Sequence, residues 1–506
     1  MNSKKTIALI ILFLIVISFI LTPIKLNTNG LETAGEIITS AFKPSISELP
    51  QALNASITTV FYAVAGMSIA LLFSFFLSLY ASGILTESRR IQNIIRNFFA
   101  ATRAIHELIW ALFFVTAFGL MPMTALLALA VPYTGMLGKV FTDIFCHMDL
   151  KKIQRLEGLG ASKAQMILYG YLPQALPQLI SYSLYRFECA LRSSTILSFV
   201  GITGLGMKIQ LTLNDLKFNE MFTYIYVLFL LVVVIEIWGN FYRQKKFQNG
   251  TVVVSILLLF SSWYFILIPE GALYDTLISQ KNLAYTMDFI SKLLGFQSET
   301  IAFLDMNEIT HVFVLTLKTL QMSFVAIALS ILFMSLTVIL ATKRYSHPMI
   351  YGMVRTIYLF TRAIPELIWA MILVFIFKPG IWVGALALAI HNFGILSKLC
   401  AEVIENMDEK PLLSLRQTGA NKGELFMYGV LPSVIKSFIS YSIYRWEIIL
   451  RTTIIVGLVG AGGLGYYFRL NFSWFHYTNI TLVLIFYLLL VKVADKLSLY
   501  LNKVWG

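Results

Sequence analysis

The chain has 506 residues, 58% of them hydrophobic, with mean hydropathy +0.78 and only 13% charged; a soluble domain carries roughly a quarter charged residues. That composition excludes an ordinary soluble enzyme. The formal net charge of +13 does not mark a nucleic-acid binder, because Lys and Arg sit in short clusters between apolar runs and no basic stripe is interleaved with aromatics.

A bilayer core takes roughly 20 apolar residues per helix. Such runs predict helices near 6–24, 52–82, 92–118, 121–147, 174–200 and 221–242. A second set follows near 251–269, 309–341, 350–377, 381–405, 433–459 and 479–500. The first run follows Lys4 and Lys5, is long, and lacks a clean small-residue cleavage site, so it reads as a retained helix rather than a signal peptide. Six helices per half bring both halves in from the same side, as parallel repeats. The basic clusters agree: Lys4–Lys5, Arg89–Arg90–Arg96, Lys151–Lys152–Arg155–Lys163, Arg243–Lys245–Lys246, Lys343–Arg344–Arg355, Lys410–Arg416–Lys422 and Lys496–Lys503 share one side, the cytoplasm. On the other side, the segment from Glu270 to Glu308 carries six acids and only Lys281 and Lys292. Cys146, Cys189 and Cys400 lie far apart in or beside apolar runs, with neither metal-ligand spacing nor a disulfide framework.

The chain repeats itself. TRAIHELIWAL from Thr102 returns as TRAIPELIWAM from Thr361, an offset of 259 residues that also aligns ISYSLYRFECALR from Ile180 with ISYSIYRWEIILR from Ile439. No gap intervenes, so the chain reads as a duplication with repeats at 1–248 and 249–506.

The longest cytoplasmic stretch of each half follows its fourth helix. It carries Gly160–Ala161 and then Leu172–Pro173 in the first half, and Gly419–Ala420 and then Leu431–Pro432 in the second. Proline suits the first turn of the helix that follows. Glu157 stands where the second half has Arg416. This glycine, eleven residues, then Leu-Pro resembles the EAA loop of ABC-importer permeases, which docks on a cytoplasmic ATPase. Where that motif opens with glutamate, this chain has Gln154 and Leu413. No Gly-x-x-x-x-Gly-Lys-Ser/Thr motif is present, and the glycines at 460–465 precede an aromatic, non-basic stretch, so hydrolysis falls to a partner.

Ionisable groups at membrane depth are costly and usually functional. The third predicted helix carries Arg103, Glu107 and Trp110, mirrored by Arg362, Glu366 and Trp369. The fifth carries Tyr182, Tyr185, Arg186, Glu188 and Arg192, mirrored by Tyr441, Tyr444, Arg445, Glu447 and Arg451. Helical spacing pairs Arg103 with Glu107 and Glu188 with Arg192. It leaves Arg186 beside Tyr182, so each half is expected to hold one spare arginine, Arg186 or Arg445, suited to a small anion. Two roles stay open for these residues: lining a translocation path, or clamping helices to one another.

TRAI-x-ELIWAL, the Tyr-Gly-x-Leu-Pro-Gln at Tyr169–Gln174 and SYSLYRFE together resemble permeases of phosphonate importers, a family that also serves phosphite and related oxyanions. Pro365 in place of His106 and Ser433 in place of the glutamine are departures. The resemblance implies an all-α integral membrane protein, about twelve transmembrane helices as two parallel six-helix repeats of the type I (MetI-like) importer permease fold. It implies coupling loops near 150–172 and 409–431, two cytoplasmic ATP-binding subunits docked on them, and one extracytoplasmic binding protein. ATP and Mg would be bound by the partner and no cofactor by this chain. The setting it implies is the inner membrane of a bacterium. The rival readings are an ion-coupled carrier with two six-helix halves and an importer of the same class for another solute. A membrane enzyme finds no support, since the six histidines are scattered and no carboxylate dyad or nucleophile motif is visible.

Overall fold

The computed structural model describes residues 2–197, 201, 203–243, 249–267, 280–296, 301–408 and 410–505. Over that range every predicted apolar run is largely helical, and the one β feature is an isolated antiparallel bridge between Leu26 and Phe377. Lys245, Lys246, the segment 268–279 and the final residues of the run predicted at 174–200 lie outside the described residues.

The first half comprises α1 (Asn2–Ile20), α2 (Gly30–Ala41), α3 (Leu49–Ala81), α4 (Arg89–Ala104), α5 (Glu107–Phe118), α6 (Pro122–Cys146), α7 (Leu150–Gly158), α8 (Leu172–Leu197), α9 (Leu205–Asn214) and α10 (Phe218–Arg243). The second comprises α11 (Asn249–Leu267), α12 (Gln280–Leu293), α13 (Met306–Thr337), α14 (Pro348–Ala363), α15 (Glu366–Ile376), α16 (Ile381–Glu405), α17 (Lys410–Gln417), α18 (Leu431–Val456), α19 (Gly463–Ser473) and α20 (Tyr477–Trp505). Among the described residues, α3, α6, α10, α13 and α16 are each long and apolar enough to cross a membrane by themselves. Three further bent pairs, α4–α5, α14–α15 and α18–α19, qualify as broken spans.

By contact the chain divides into two compact units, one of residues Ser40–Ile290 and one of Met1–Thr39 with Ser291–Gly506. In the first unit α3 and α6 pack along each other, α4, α5 and α8 lie on α6, and α11 lies on α3. Ala63, Ala65 and Ala70 of α3 and Ala125 and Ala128 of α6 are buried, so the two backbones approach closely. Within lipid that close packing replaces the hydrophobic drive between helices. Leu126, Leu129, Tyr133, Leu137 and Phe141 carry the core along α6. In the second unit α13, α14, α15 and α18 pack on α16, and α20 packs on α18. Here α1 lies against α13, held by Gln321 Nε2 donating to Thr22 Oγ1 at 2.7 Å. The Asn27 side chain donates to the carbonyls of Val374 (2.9 Å), Phe375 (3.1 Å) and Phe377 (3.2 Å), which anchors the stretch after α1 on the end of α15.

The third predicted helix of each half is not one helix. It turns by 94° between α4 and α5, and by 93° between α14 and α15. Ile105 and His106 are extended, as are Ile364 and Pro365. Pro365 forces its predecessor out of the helical region. His106 achieves the same break as an N-cap, its Nδ1 accepting from Leu108 N at 3.3 Å. The one-turn spacing expected for Arg103–Glu107 and Arg362–Glu366 therefore does not apply, because each arginine ends one helix and each glutamate begins the next.

Close approach fixes both corners. A Cβ on Gly135 would fall onto Thr102 Oγ1 and lie 2.8 Å from Phe99 O. A Cβ on Gly394 would fall onto Thr361 Oγ1 and lie 2.6 Å from Tyr358 O. The glycines let α6 and α16 touch the last turns of α4 and α14. We expect Gly135→Val or Gly394→Val to cost roughly 1–3 kcal/mol through overpacking, read as a lowered midpoint for thermal unfolding of the purified chain in detergent.

Candidate functional site

The loop after the fourth predicted helix has the same build in both repeats. Asp149 caps α7, its Oδ1 accepting from Lys151 N at 3.0 Å. The chain then turns at Gly160, φ +81°, and restarts at Ser162 and Gln165, which cap each other reciprocally. A π turn over Met166–Tyr171 runs into α8 at Leu172–Pro173. In the second repeat α17 ends before Gly419, φ +86°, and the reciprocal cap is Asn421 with Glu424, at 2.8 and 2.9 Å. A π turn over Leu425–Val430 then leads into α18 at Leu431–Pro432.

Each loop is therefore a helical elbow. Its inner face is apolar: Ile153 and Leu156 pack under Gly170, and Leu412 and Leu415 under Gly429. Its tip is open: Glu157, Gly160, Arg416 and Gly419 are exposed, Ala161 and Ala420 are half-buried, and no atom lies within 4 Å of a Cβ built on either tip glycine. Within this chain the glycine meets a backbone requirement, since positive φ strains other residues, not a packing one. Leu172 and Leu431 are half-buried, and Pro173 and Pro432 are exposed.

The corner between α4 and α5 explains the repeated string TRAI-x-ELIW. Thr102 faces Gly135, and the Trp110 indole donates back across the break to Thr102 O at 3.3 Å. Trp369 donates to Thr361 O at the same distance. The glutamates open the new helices, where the dipole favours a carboxylate, and both are buried, 5% exposed for Glu107 and 7% for Glu366. Glu107 Oε1 accepts from Ser193 Oγ, which lies 3.0 Å from Tyr133 OH. His106 Nδ1 accepts a backbone hydrogen, so its own hydrogen sits on Nε2, 3.3 Å from Glu107 Oε2. In the second repeat His391 of α16 takes that place: Nδ1 donates to Ile364 O at 2.9 Å, and Nε2 lies 3.5 Å from Glu366 Oε2.

The two arginines singled out as equivalent differ. Arg186 Nε donates to Tyr182 OH at 2.7 Å, and its guanidinium carbon lies 5.1 Å and 5.5 Å from the ring centroids of Tyr182 and Tyr185. This is the expected Tyr182 neighbour, with a cation–π bed added. Arg445 also has a neutral partner, but a side-chain amide from another helix. It is 7% exposed, and its Nε (3.0 Å) and Nη2 both donate to Asn392 Oδ1 on α16. Asn392 stands 259 residues after Tyr133, so the acceptor exists in one repeat alone.

The expected pair one turn apart on the fifth helix is present as Arg451 Nη2 to Glu447 Oε1, 2.6 Å. The same nitrogen also reaches Asp495 Oδ1 of α20 at 2.7 Å. In the first repeat Glu188 is buried, Arg192 Nη2 lies 3.7 Å from Cys189 Sγ, and Glu236 of α10 occupies the position matching Asp495. Arg451 thus clamps α18 to α20, as Arg445 clamps α18 to α16. Arg362 is buried at the end of α14, Arg103 is half-buried at the end of α4, and Tyr441 is half-buried on α18. The structure brings in residues the sequence reading passed over: Tyr133, Ser193, His391, Asn392 and Asp495. Asp495 and His391, ionisable residues inside apolar helices, carried a legible signal; the others had none until the helices packed.

The model of the family described as "Binding-protein-dependent transport system inner membrane component" matches twice, at residues 74–248 and 334–503. The chain is 26% identical to the phosphate-import permease protein PhnE of Mycolicibacterium smegmatis, over 93% of this chain and 88% of that one. It is 33% identical to the phosphite transport system permease protein PtxC of Stutzerimonas stutzeri, over 37% of this chain and 68% of that one. It is 42% identical to PhnE2 of Escherichia coli, a relative named for cryptic phosphonate transport, over 23% of this chain and 97% of that one.

The Arg451 contacts predict an order of effects. Arg451→Ala strands two carboxylates and is expected to cost roughly 3 kcal/mol or more. Asp495→Asn, which leaves Glu447 as a partner, should cost less. Thermal unfolding of the purified variants checks the order.

Proposed function

Because the chain belongs to the family of binding-protein-dependent transport system inner membrane components, and is a fused double permease of an ATP-binding-cassette importer, we propose that it carries a small phosphorus oxyanion into the cytoplasm. A phosphonate or phosphite is the cargo of choice. The chain is a transport subunit and not an enzyme. ATPase and substrate-binding partners complete such an importer, and the ATPase is a separate subunit.

In this reading two ATP-binding subunits, holding ATP and Mg, dock on the elbows around Gly160 and Gly419, in the inner membrane of a bacterium. One extracytoplasmic binding protein delivers the anion. Closure of the ATPases moves α8 and α18 through the elbows and exposes the path on alternate sides. The observation that carries the importer reading is the elbow itself, present twice with an exposed tip, an apolar underside and a Leu-Pro entry into a membrane helix. Arg186 supports the choice of an anion: its guanidinium rests on Tyr182 and Tyr185. Arg103, Glu107, Tyr182, Glu188, Arg192, Arg362, Glu366, Tyr441, Arg445, Glu447 and Arg451 are the other residues we assign to the path or its walls.

The test co-expresses the chain with its candidate partners and reads ATPase activity in lipid with and without phosphonate-loaded binding protein. Stimulation by the loaded form is expected. Uptake that persists without any ATPase would overturn the reading in favour of an ion-coupled carrier. Gly160→Asp with Gly419→Asp places a side chain where φ is positive, a strain of about 1–2 kcal/mol per site, and puts a carboxylate at each tip. We expect ATPase co-purification to fall about tenfold or more while the bundle still unfolds near the wild-type temperature. Arg186→Ala should lower anion uptake about tenfold, from loss of a charged hydrogen-bond donor worth roughly 1.5–3 kcal/mol, without loss of ATPase assembly.

A further inference from the structure

Two positions carry a histidine and a proline in opposite order. The first repeat has His106 and Pro132; at the same offset the second has Pro365 and His391. The histidines come from different elements, one capping α5 and one standing inside α16. Both nonetheless bring Nε2 to Oε2 of the buried glutamate at the corner, 3.3 Å in one repeat and 3.5 Å in the other. Both also engage backbone at the break with Nδ1, in opposite senses: His106 Nδ1 accepts from Leu108 N and leaves its hydrogen on Nε2, whereas His391 Nδ1 donates to Ile364 O, so its Nε2 offers Glu366 a hydrogen only as the imidazolium.

From this we infer that His106 and His391 are one element in two positions: a positioning histidine that holds the corner glutamate, supplied from opposite sides in the two repeats. A carboxylate buried in an apolar layer needs partners to stay there. In the first repeat Ser193 is one of them. At the matching position Thr452 donates its hydroxyl to Ile449 O instead, 3.0 Å away. The proline is what prevents both positions from holding the histidine. At 365 it makes the break sterically, so the cap histidine is not needed there and its contact with the glutamate has to come from α16. At 106 the histidine makes the break as a cap, and the α16 counterpart in α6 is Pro132. Tyr133, which shares Ser193 with Glu107, is a further titratable group at the first corner, and Cys189 and Arg186 lie near it.

The role assigned to the glutamates rests on the transport reading, so the experiment separates the two. The full chain is reconstituted with its partners and ATP-driven phosphite uptake is measured, alongside thermal unfolding of the purified chain. His106→Ser keeps a good cap but cannot reach Glu107. It should lower uptake about tenfold, and His106→Ser with Pro132→His should restore uptake to within about twofold of wild type. His391→Ala should fall likewise, and recover with Pro365→His. The unfolding shift of His106→Ser should shrink in a Glu107→Gln background, the mark of a direct coupling. Double variants no better than the singles would overturn the proposal, as would wild-type uptake by His106→Ser. Recovered unfolding temperature without recovered uptake would leave the histidine a stabilising contact and overturn its positioning role. If the wild type takes up no oxyanion, the function reading fails by itself, and the unfolding cycle still decides whether the histidine moves with the glutamate.

Discussion

A helix broken inside an apolar layer must satisfy its freed backbone groups without water, and the corners at 105–106 and 364–365 are organised around that need. The indole of Trp110 or Trp369 reaches back to the carbonyl three residues before the break. A histidine engages backbone at the break itself. Glycines on α6 and α16 let the neighbouring helix close against the last turn. Only once the backbone is satisfied can a glutamate open the next helix from a buried position.

The corner also sets what the rest of the charged cluster does. α8 and α18 run past it, and their arginines settle according to what α6 and α16 offer. In the second repeat Asn392 holds Arg445 and Asp495 shares Arg451, so that half is tied together by charged hydrogen bonds. In the first repeat Tyr133 stands where Asn392 would be, and Arg186 rests on tyrosines. Fusion of two permease units in one chain permits this divergence, since a homodimer would impose the same residues on both halves. The elbows differ in the same way, with Glu157 exposed in one and Arg416 in the other.

The duplication, the membrane class and the positions of the helices were legible because hydropathy and offset are properties of the chain read in order. The elbows were legible for a similar reason, because glycine spacing and a Leu-Pro entry are local. What misled was the assumption of an unbroken third helix. No proline stands at the first break, and a histidine cap there looks like any other residue in an apolar run. The spare-arginine argument counted carboxylates along the helix, so it did not reveal that Asn392 approaches Arg445 from another helix.

By itself, then, the sequence determined that this is a duplicated, helical membrane protein with a glycine-turned elbow after the fourth predicted helix of each half, because each of those features depends on residues near one another in the chain. Tertiary structure alone decided which charges are clamps, which arginine keeps tyrosine company and how a histidine from two different helices reaches the same carboxylate. Those contacts join residues as far apart as Glu107 and Ser193, or Arg451 and Asp495. In a low-dielectric layer the partner a buried charge finds decides its role, and helix packing is what brings that partner within reach.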